Sequence, residues 1–254
     1  MKIATWNVNS IKARLDHVKN WLSQNTPDIL MIQELKGLDF PEMAFKALGY
    51  ECAFVSQKAY NGVATLSKTP LEINETKLPG DDSDEQARYL ETTINGIRFI
   101  NIYLPNGNPV DSEKFPYKLS WMERLKNRLE ELRADTVPFA VAGDFNVIPD
   151  DRDCYDPKQW QDDALFRSET QQKFRALLNL GLTDAFRVFD SGAAQYTYWD
   201  YQAGAWPANK GIRIDHFLLS PTITDRLQSC TIDTVPRGLE KASDHTPIII
   251  ELAV

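Results

Sequence analysis

The stretch Phe139-Ala140-Val141-Ala142-Gly143-Asp144-Phe145-Asn146 decides how the rest of the chain is read. Its apolar run predicts a buried strand, and the closing Gly-Asp-Phe-Asn puts two polar side chains at the strand's C-terminal tip. Side chains alternate along a strand, so Asp144 and Asn146, two apart, are expected to point the same way. In α/β folds the ends of buried strands are where ligands and chemistry sit. A carboxylate beside an amide suits such a place. Asp144 can orient a water or take a proton, and Asn146 can both donate to and accept from a neighbouring oxygen. Asp and Asn are also ordinary turn residues, so this tip gains meaning only from the others.

Upstream, residues 2–8 read as a strand ending in Trp6-Asn7-Val8-Asn9. Ser10 then caps a helix marked by Ile11, Leu15, Val18 and Leu22. Residues 29–32 form a second buried strand tipped by Gln33-Glu34, and a short helix near 41–48 stops at Gly49. Strands are expected at 51–56, 63–67, 71–77 and 88–94, with a turn at Tyr60-Asn61-Gly62 and an acidic loop over 79–85. Asn95-Gly96 is a hairpin signal leading into a strand at 99–104 that ends in Pro105-Asn106-Gly107. The spacing of Leu119, Met122, Leu125, Leu129 and Leu132 predicts a helix over 112–133.

Downstream, 147–167 is a long irregular segment, of the kind that is usually functional inside a compact domain. A helix follows at 169–180, then an irregular aromatic stretch at 195–211. Strands are expected at 212–219, containing Asp215, near 229–234, and at 248–252 after Ser243-Asp244-His245. No Ser/Gly-rich linker divides the chain, so one domain over 1–254 is expected, α/β in class with mixed sheets. Strands in both halves end in Asn or acidic residues, which fits two packed sheets whose tips converge.

The 43% hydrophobic content supports a sizeable core, and the 25% charged content is ordinary for a soluble globular protein. No apolar run approaches the roughly 18 residues that span a bilayer, and the start Lys2-Ile3-Ala4-Thr5-Trp6 lacks the form of a signal peptide. A cytoplasmic location without membrane association is the expectation. Cys52, Cys154 and Cys230 are far apart and odd in number, which argues against a disulfide scaffold, and no CxxC or Cys/His cluster suggests zinc. The net charge of −8 does not advertise a nucleic-acid binder, although it leaves room for a local basic patch.

The polar tips are Asn7, Asn9, Glu34, Tyr103, Asn106, Asp144, Asn146, Asp215, Asp244 and His245. They supply oxygen ligands, no thiolate cluster and one site histidine. Such a set suits Mg²⁺, with Mn²⁺ as a substitute, and not zinc. A hard divalent ion with carboxylates, amides and a histidine points to phosphate ester hydrolysis.

Taken together, Trp6-Asn7-Val8-Asn9, Gln33-Glu34-Leu35-Lys36, Tyr103-Leu104-Pro105-Asn106-Gly107, Gly143-Asp144-Phe145-Asn146, Arg213-Ile214-Asp215-His216 and Ser243-Asp244-His245 resemble the exonuclease III family. These are apurinic/apyrimidinic (AP) endonucleases within the endonuclease/exonuclease/phosphatase superfamily. The motifs fall in the family's order and span nearly the whole chain. The resemblance implies a four-layer, deoxyribonuclease I-like sandwich of two mixed sheets flanked by helices. It also implies Mg²⁺-dependent cleavage of double-stranded DNA 5′ to abasic sites, with 3′→5′ exonuclease or 3′-end trimming activity, by a monomer.

By the same resemblance Glu34 is the principal metal ligand, with Asp244 and Asn7 in the metal region. Asn7 and Asn146 hold the phosphate or the attacking water, and Asp144 positions or deprotonates that water. Tyr103 serves the leaving oxygen, and His245, oriented by Asp215, contacts the scissile phosphate. His216, adjacent to Asp215 on a strand, faces the opposite side and is expected to be structural, as is His17. Asn9 stands where some relatives carry Asp. Lys12, Arg14, Lys36, Tyr60, Asn61, Asn106, Lys210 and Arg213 lie near motif loops as candidate backbone contacts. Tyr198, Ile212 and Ile214 match the pocket that receives a flipped-out sugar lacking its base, and Trp206 shares the aromatic loop.

Two alternatives stand beside this reading. Deoxyribonuclease I-like nucleases and sphingomyelinases resemble a plan with a second catalytic histidine near mid-chain, where this chain has Tyr103. A noncatalytic DNA-binding relative would have lost part of the polar cluster, whereas here every main position is filled.

Overall fold

The computed structural model describes residues 1–253. The chain opens with β1 (Lys2–Asn7), β2 (Ile29–Gln33), β3 (Glu51–Val55) and β4 (Val63–Ser67). It continues with β5 (Leu71–Glu75), β6 (Tyr89–Ile94), β7 (Ile97–Tyr103), β8 (Phe139–Asp144) and β9 (Thr183–Asp184). The last strands are β10 (Asp215–Leu219), β11 (Leu227–Ile232) and β12 (Ile248–Leu252). They form two six-stranded sheets, one ordered β11-β12-β1-β2-β4-β3 and the other β5-β6-β7-β8-β10-β9. Both are mixed. β1 pairs parallel with β2 and antiparallel with β12, and β8 pairs parallel with β7 and antiparallel with β10.

Period-two alternation explains the layering. Ile3, Met31, Phe99, Ala140, Ala142, Phe217, Ile248 and Ile250 meet in the space between the sheets. The intervening Ala4, Trp6, Leu30 and Ile32 face outward onto α1 (Ile11–Asn25), through Val18 and Leu22, and onto Phe45 of α2 (Glu42–Lys46). On the other sheet, Ile100, Ile102, Val141 and Leu218 face α3 (Lys114–Ala134) and α5 (Ser168–Leu178), which contribute Trp121, Met122, Leu125, Leu129, Phe174 and Leu177. The result is the expected helix–sheet–sheet–helix sandwich.

Gly143 lets β7 and β8 come together. It pairs with Ile102 at φ +140°, and an added Cβ would lie 2.0 Å from the Ile102 carbonyl oxygen. No side chain fits there.

Several boundaries differ from expectation. The irregular 147–167 segment contains a 3₁₀ turn at Asp151–Asp153 and the one-turn α4 (Pro157–Trp160). The strand expected from residue 212 begins at Asp215, because Ile212 makes only isolated bridges, to Cys154 and Tyr198. The two-residue β9, α6 (Ala185–Phe189) and α7 (Pro221–Thr224) are too short for a periodic signal. Among the described residues, no helix is long and apolar enough to cross a membrane.

Candidate active site

The alternation that builds the core also builds the site. Asn7, Tyr103, Asp144 and Asp215 occupy the inward-facing register of β1, β7, β8 and β10 at one end of the space between the sheets. Beneath them lies a buried polar layer. The Gln33 Nε2 donates to Thr5 Oγ1 at 2.9 Å and to Asn101 Oδ1 at 2.7 Å. Asn101 Nδ2 donates in turn to the Ile32 and Ala64 carbonyls, stitching the two sheets together. An unpaired buried amide costs about 1–3 kcal/mol, so this layer admits few alternative sheet offsets.

Two further site residues are aimed by turns. Glu34 and Asn146 follow their strands at φ +57° and +48°, which releases them from strict alternation. The two-apart rule therefore does not govern Asn146. Its backbone N–H instead turns back to donate to Asp144 Oδ1 at 2.8 Å, and its Nδ2 donates to the Leu104 carbonyl at 2.9 Å.

The pieces converge. Asn7 Nδ2 donates to Glu34 Oε1 and to Asp144 Oδ2, each at 2.9 Å. His245 Nδ1 lies 2.8 Å from Asp215 Oδ2, and its Nε2 lies 3.7 Å from Asp144 Oδ2. Burial opposes charge on His245, but the Asp215 and Asp144 carboxylates outweigh it and raise the imidazole to about 10. The ring is therefore an imidazolium at neutral pH. Asp144 is pushed up to about 7 by burial, with the Asp215 and Glu34 carboxylates adding to that and His245 opposing it. Glu34 runs the other way. Burial would raise it, but Lys36 and the Asn7 amide hold it below its ordinary value. Tyr103 is raised well above its ordinary value by burial and by the Glu34 and Asp144 charges, so its phenol keeps its proton.

Glu34, Asp144 and His245 bring potential ligand atoms within 4.8 Å of one another. A charged imidazolium offers no lone pair, so the carboxylates of Glu34 and Asp144 are the ligands this cluster presents. All-oxygen donors fit a hard divalent cation.

The structure places two expected metal-region residues differently. Asn7 Oδ1 is taken by the Asn9 backbone N–H at 3.0 Å, so Asn7 presents its amide nitrogen to the cluster. Asp244 lies outside the donor cluster, and its Oδ1 accepts from Asn9 Nδ2 at 3.0 Å. Lys36 also turns inward. Its ammonium pairs with Glu34 Oε2 at 2.7 Å and bonds Asn9 Oδ1, while the side chain stays one-third exposed at the rim of the cluster.

The expected substrate-facing residues divide by exposure. Tyr60 is 71% exposed on the loop beside the Glu34 turn, where the Lys36 N–H bonds the Asn61 carbonyl. Asn106 is exposed and donates to Asn146 Oδ1 at 3.2 Å. Tyr198 is half-buried, with its ring edge-on to His245 at 5.0 Å. Ile212 and Ile214 are buried with Ile148, Cys154 and Leu165, and Tyr198, Trp160 and Phe166 are the partly exposed side chains that pack on that cluster. Trp206 packs edge-on to Trp199 at 4.8 Å and under the Arg237 guanidinium at 5.5 Å, which fixes the aromatic loop.

Arg213 is not a backbone contact. It is 1% exposed and paired with Asp153 and Asp184, at 2.6 Å and 2.8 Å. Arg14 is likewise spent on the Asn9, Lys241 and Ala242 carbonyls. His216 points away from the site, buried between Arg213 and the Val147 carbonyl. Burial, then the Arg213 charge, lowers it to about 4, so it stays neutral.

Thr197 escaped notice in the sequence. Its buried Oγ1 accepts from the Ile214 and Asp215 N–H groups, both at 3.1 Å, and its carbonyl accepts from the Thr246 N–H. It joins the strand start carrying Asp215 to the segment carrying His245. No local signal marks it, because its partners lie 17 and 18 residues away. The Asn101 layer did carry a signal, a lone amide inside the apolar strand Phe99-Ile100-Asn101-Ile102.

A two-sheet sandwich with carboxylates, amides and an imidazolium closing one end of its core defines a phosphoester-hydrolase type of site. The chain belongs to the Endonuclease/Exonuclease/phosphatase family, whose profile matches residues 4–245. It is 32% identical over 265 residues to exodeoxyribonuclease III of Haemophilus influenzae, covering 99% of each chain. Among solved structures, it is similar to the 3′ phosphatase NExo from Neisseria bound to a product DNA hairpin, with 40% identity, full coverage of both chains and a TM-score of 0.97. It is also similar to an AP endonuclease from Archaeoglobus fulgidus, at 37% identity, full coverage of both and a TM-score of 0.95.

Proposed function

We propose that the chain is a Mg²⁺-dependent DNA repair phosphodiesterase that incises double-stranded DNA 5′ to abasic sites and trims blocked 3′ ends. The observation that carries this reading is the meeting of Glu34, Asp144 and the Asp215–His245 pair in one cluster, bridged by Asn7. The relatives, an exodeoxyribonuclease III, a 3′ phosphatase and an AP endonuclease, support the same chemistry and both modes of use.

Each residue's part follows from its environment. Asp144, with its anion held by Asn7 and the Asn146 N–H, takes the proton of an attacking water. The water oxygen bonds to phosphorus as the bond to the 3′ oxygen breaks, leaving a 3′-hydroxyl and a 5′-phosphate. Tyr103, with its proton retained, supplies it to that leaving oxygen. His245, charged and oriented by Asp215, donates to a non-bridging phosphate oxygen as negative charge builds there. Glu34, with Asp144 beside it, would hold a divalent cation, which would supply Lewis-acid stabilisation of the same charge. Tyr198, backed by Ile212 and Ile214, meets the sugar, and Asn106, Tyr60 and Trp206 flank the path of the strand.

The test is a duplex series carrying one abasic analogue, a nick or a 3′-phosphate, with Mg²⁺ or chelator. Metal-dependent product is expected on the abasic and 3′-phosphate duplexes, and Asp144→Asn should lower turnover by about a thousandfold while binding persists. No product from any duplex across a Mg²⁺ and Mn²⁺ series would refute the reading.

A further inference from the structure

Lys118 lies on the inner face of α3, in the apolar stripe formed by Phe115, Trp121, Met122 and Leu125. It is 0% exposed. A lysine is almost never buried without a partner that repays the lost hydration. Its Nζ donates to the Asn146 carbonyl at 2.6 Å and to the Asn106 carbonyl at 3.0 Å.

Those two carbonyls belong to the two loops that carry Asn146 and Asn106. The loops are tied to each other by the Leu104 N–H to the Asp144 carbonyl at 2.8 Å, and by Asn146 Nδ2 to the Leu104 carbonyl at 2.9 Å. The third tie is Asn106 Nδ2 to Asn146 Oδ1, at 3.2 Å. Asn146 sits in the left-handed region at φ +48°. Asparagine tolerates that region better than most residues, and the bonds around it select the turn. That conformation aims its N–H at Asp144 Oδ1 while its carbonyl accepts from Lys118 Nζ. Gly107 completes the cradle, because at φ +92° an added Cβ would lie 2.7 Å from Lys118 Cδ.

We infer that Lys118 is a positioning residue for the phosphodiesterase reaction, clamping the Asn106 and Asn146 loops from below so that the Asn146 N–H holds the Asp144 carboxylate. The inference rests on the function proposed above, because only that reading gives Asp144 its role. It assigns Lys118 no contact with the nucleic acid.

The experiment pairs Lys118→Met, which keeps the stem and removes the donors, with Lys118→Arg, which restores them. Steady-state kinetics on the abasic duplex should show kcat lowered about 10- to 100-fold in Lys118→Met with KM within threefold, and substantial recovery in Lys118→Arg. Hydrogen exchange of the peptide spanning residues 143–148 should rise at least tenfold in Lys118→Met, with the β1 and β2 peptides unchanged. This second readout needs no substrate, so it separates failure of the clamp from failure of the proposed activity. Unchanged kcat, or unchanged exchange over 143–148, overturns the inference. If Lys118→Met does not fold, Lys118→Gln, which can reach one carbonyl, decides by the same two measurements.

Discussion

Asp215 Oδ2 stands 2.8 Å from His245 Nδ1, and this bond joins β10 of one sheet to the segment leading into β12 of the other. Asp215 is fully buried, and among the described residues its Oδ1 has no hydrogen-bond partner, so its charge is directed at the imidazole. Replacing Asp215 by Asn keeps the shape and removes that charge. Steady-state kinetics of Asp215→Asn should show kcat reduced about 100-fold or more, with duplex affinity within threefold in a gel-shift titration.

The pH profile follows from the two shifted groups. Asp144 acts as the anion, so activity rises as pH climbs through its pKa, about 7 without a cation. His245 acts as the cation, so activity falls as pH climbs through about 10. A divalent ion favours the Asp144 anion, so the acidic limb should move to lower pH as Mg²⁺ is raised. Single-turnover rates between pH 5 and 11 at two Mg²⁺ concentrations check this, and an acidic limb indifferent to Mg²⁺ counts against Asp144 as the base.

Glu34→Gln removes one carboxylate from the donor cluster and frees Lys36 from its 2.7 Å ion pair. The Mg²⁺ concentration for half-maximal activity should rise at least tenfold. Titration by calorimetry should give a matching loss of affinity.

Thr197→Val is close to isosteric and takes the acceptor from two buried N–H groups. Thermal or urea unfolding should register a loss of about 2 kcal/mol. Because one of those N–H groups belongs to Asp215, kcat should fall as well, with KM little changed. A drop in stability with full kcat would make Thr197 purely structural.

The sandwich was legible because polar tips follow one buried strand after another and, in that order, resemble one family. Alternation groups Asn101 with Tyr103 and Ala142 with Asp144 on one face of each strand, but both faces of these strands are apolar, so which face turns inward came only from the structure. The aim of Glu34 was not legible, because nothing local marks a left-handed glutamate, whereas Asn146 is of a type that tolerates this region and the period-two reading passed over that. Asn7 and Lys36 were read by type, whereas the structure turns their side chains into a network around the carboxylates. Arg213 looked like a surface cation only until Asp153 and Asp184 arrived from distant loops. Lys118 did leave a trace, a charge at i+3 from Phe115 within an apolar stripe, and its meaning depended on carbonyls it could not foretell.

The position of β1, between β2 and β12, carries a consequence for biosynthesis. Its parallel neighbour β2 begins at Ile29, whereas its antiparallel neighbour β12 begins only at Ile248. The sheet around β1 and the Asp215–His245 pair therefore cannot close on a growing polypeptide before the region of His245 and β12 has been synthesised.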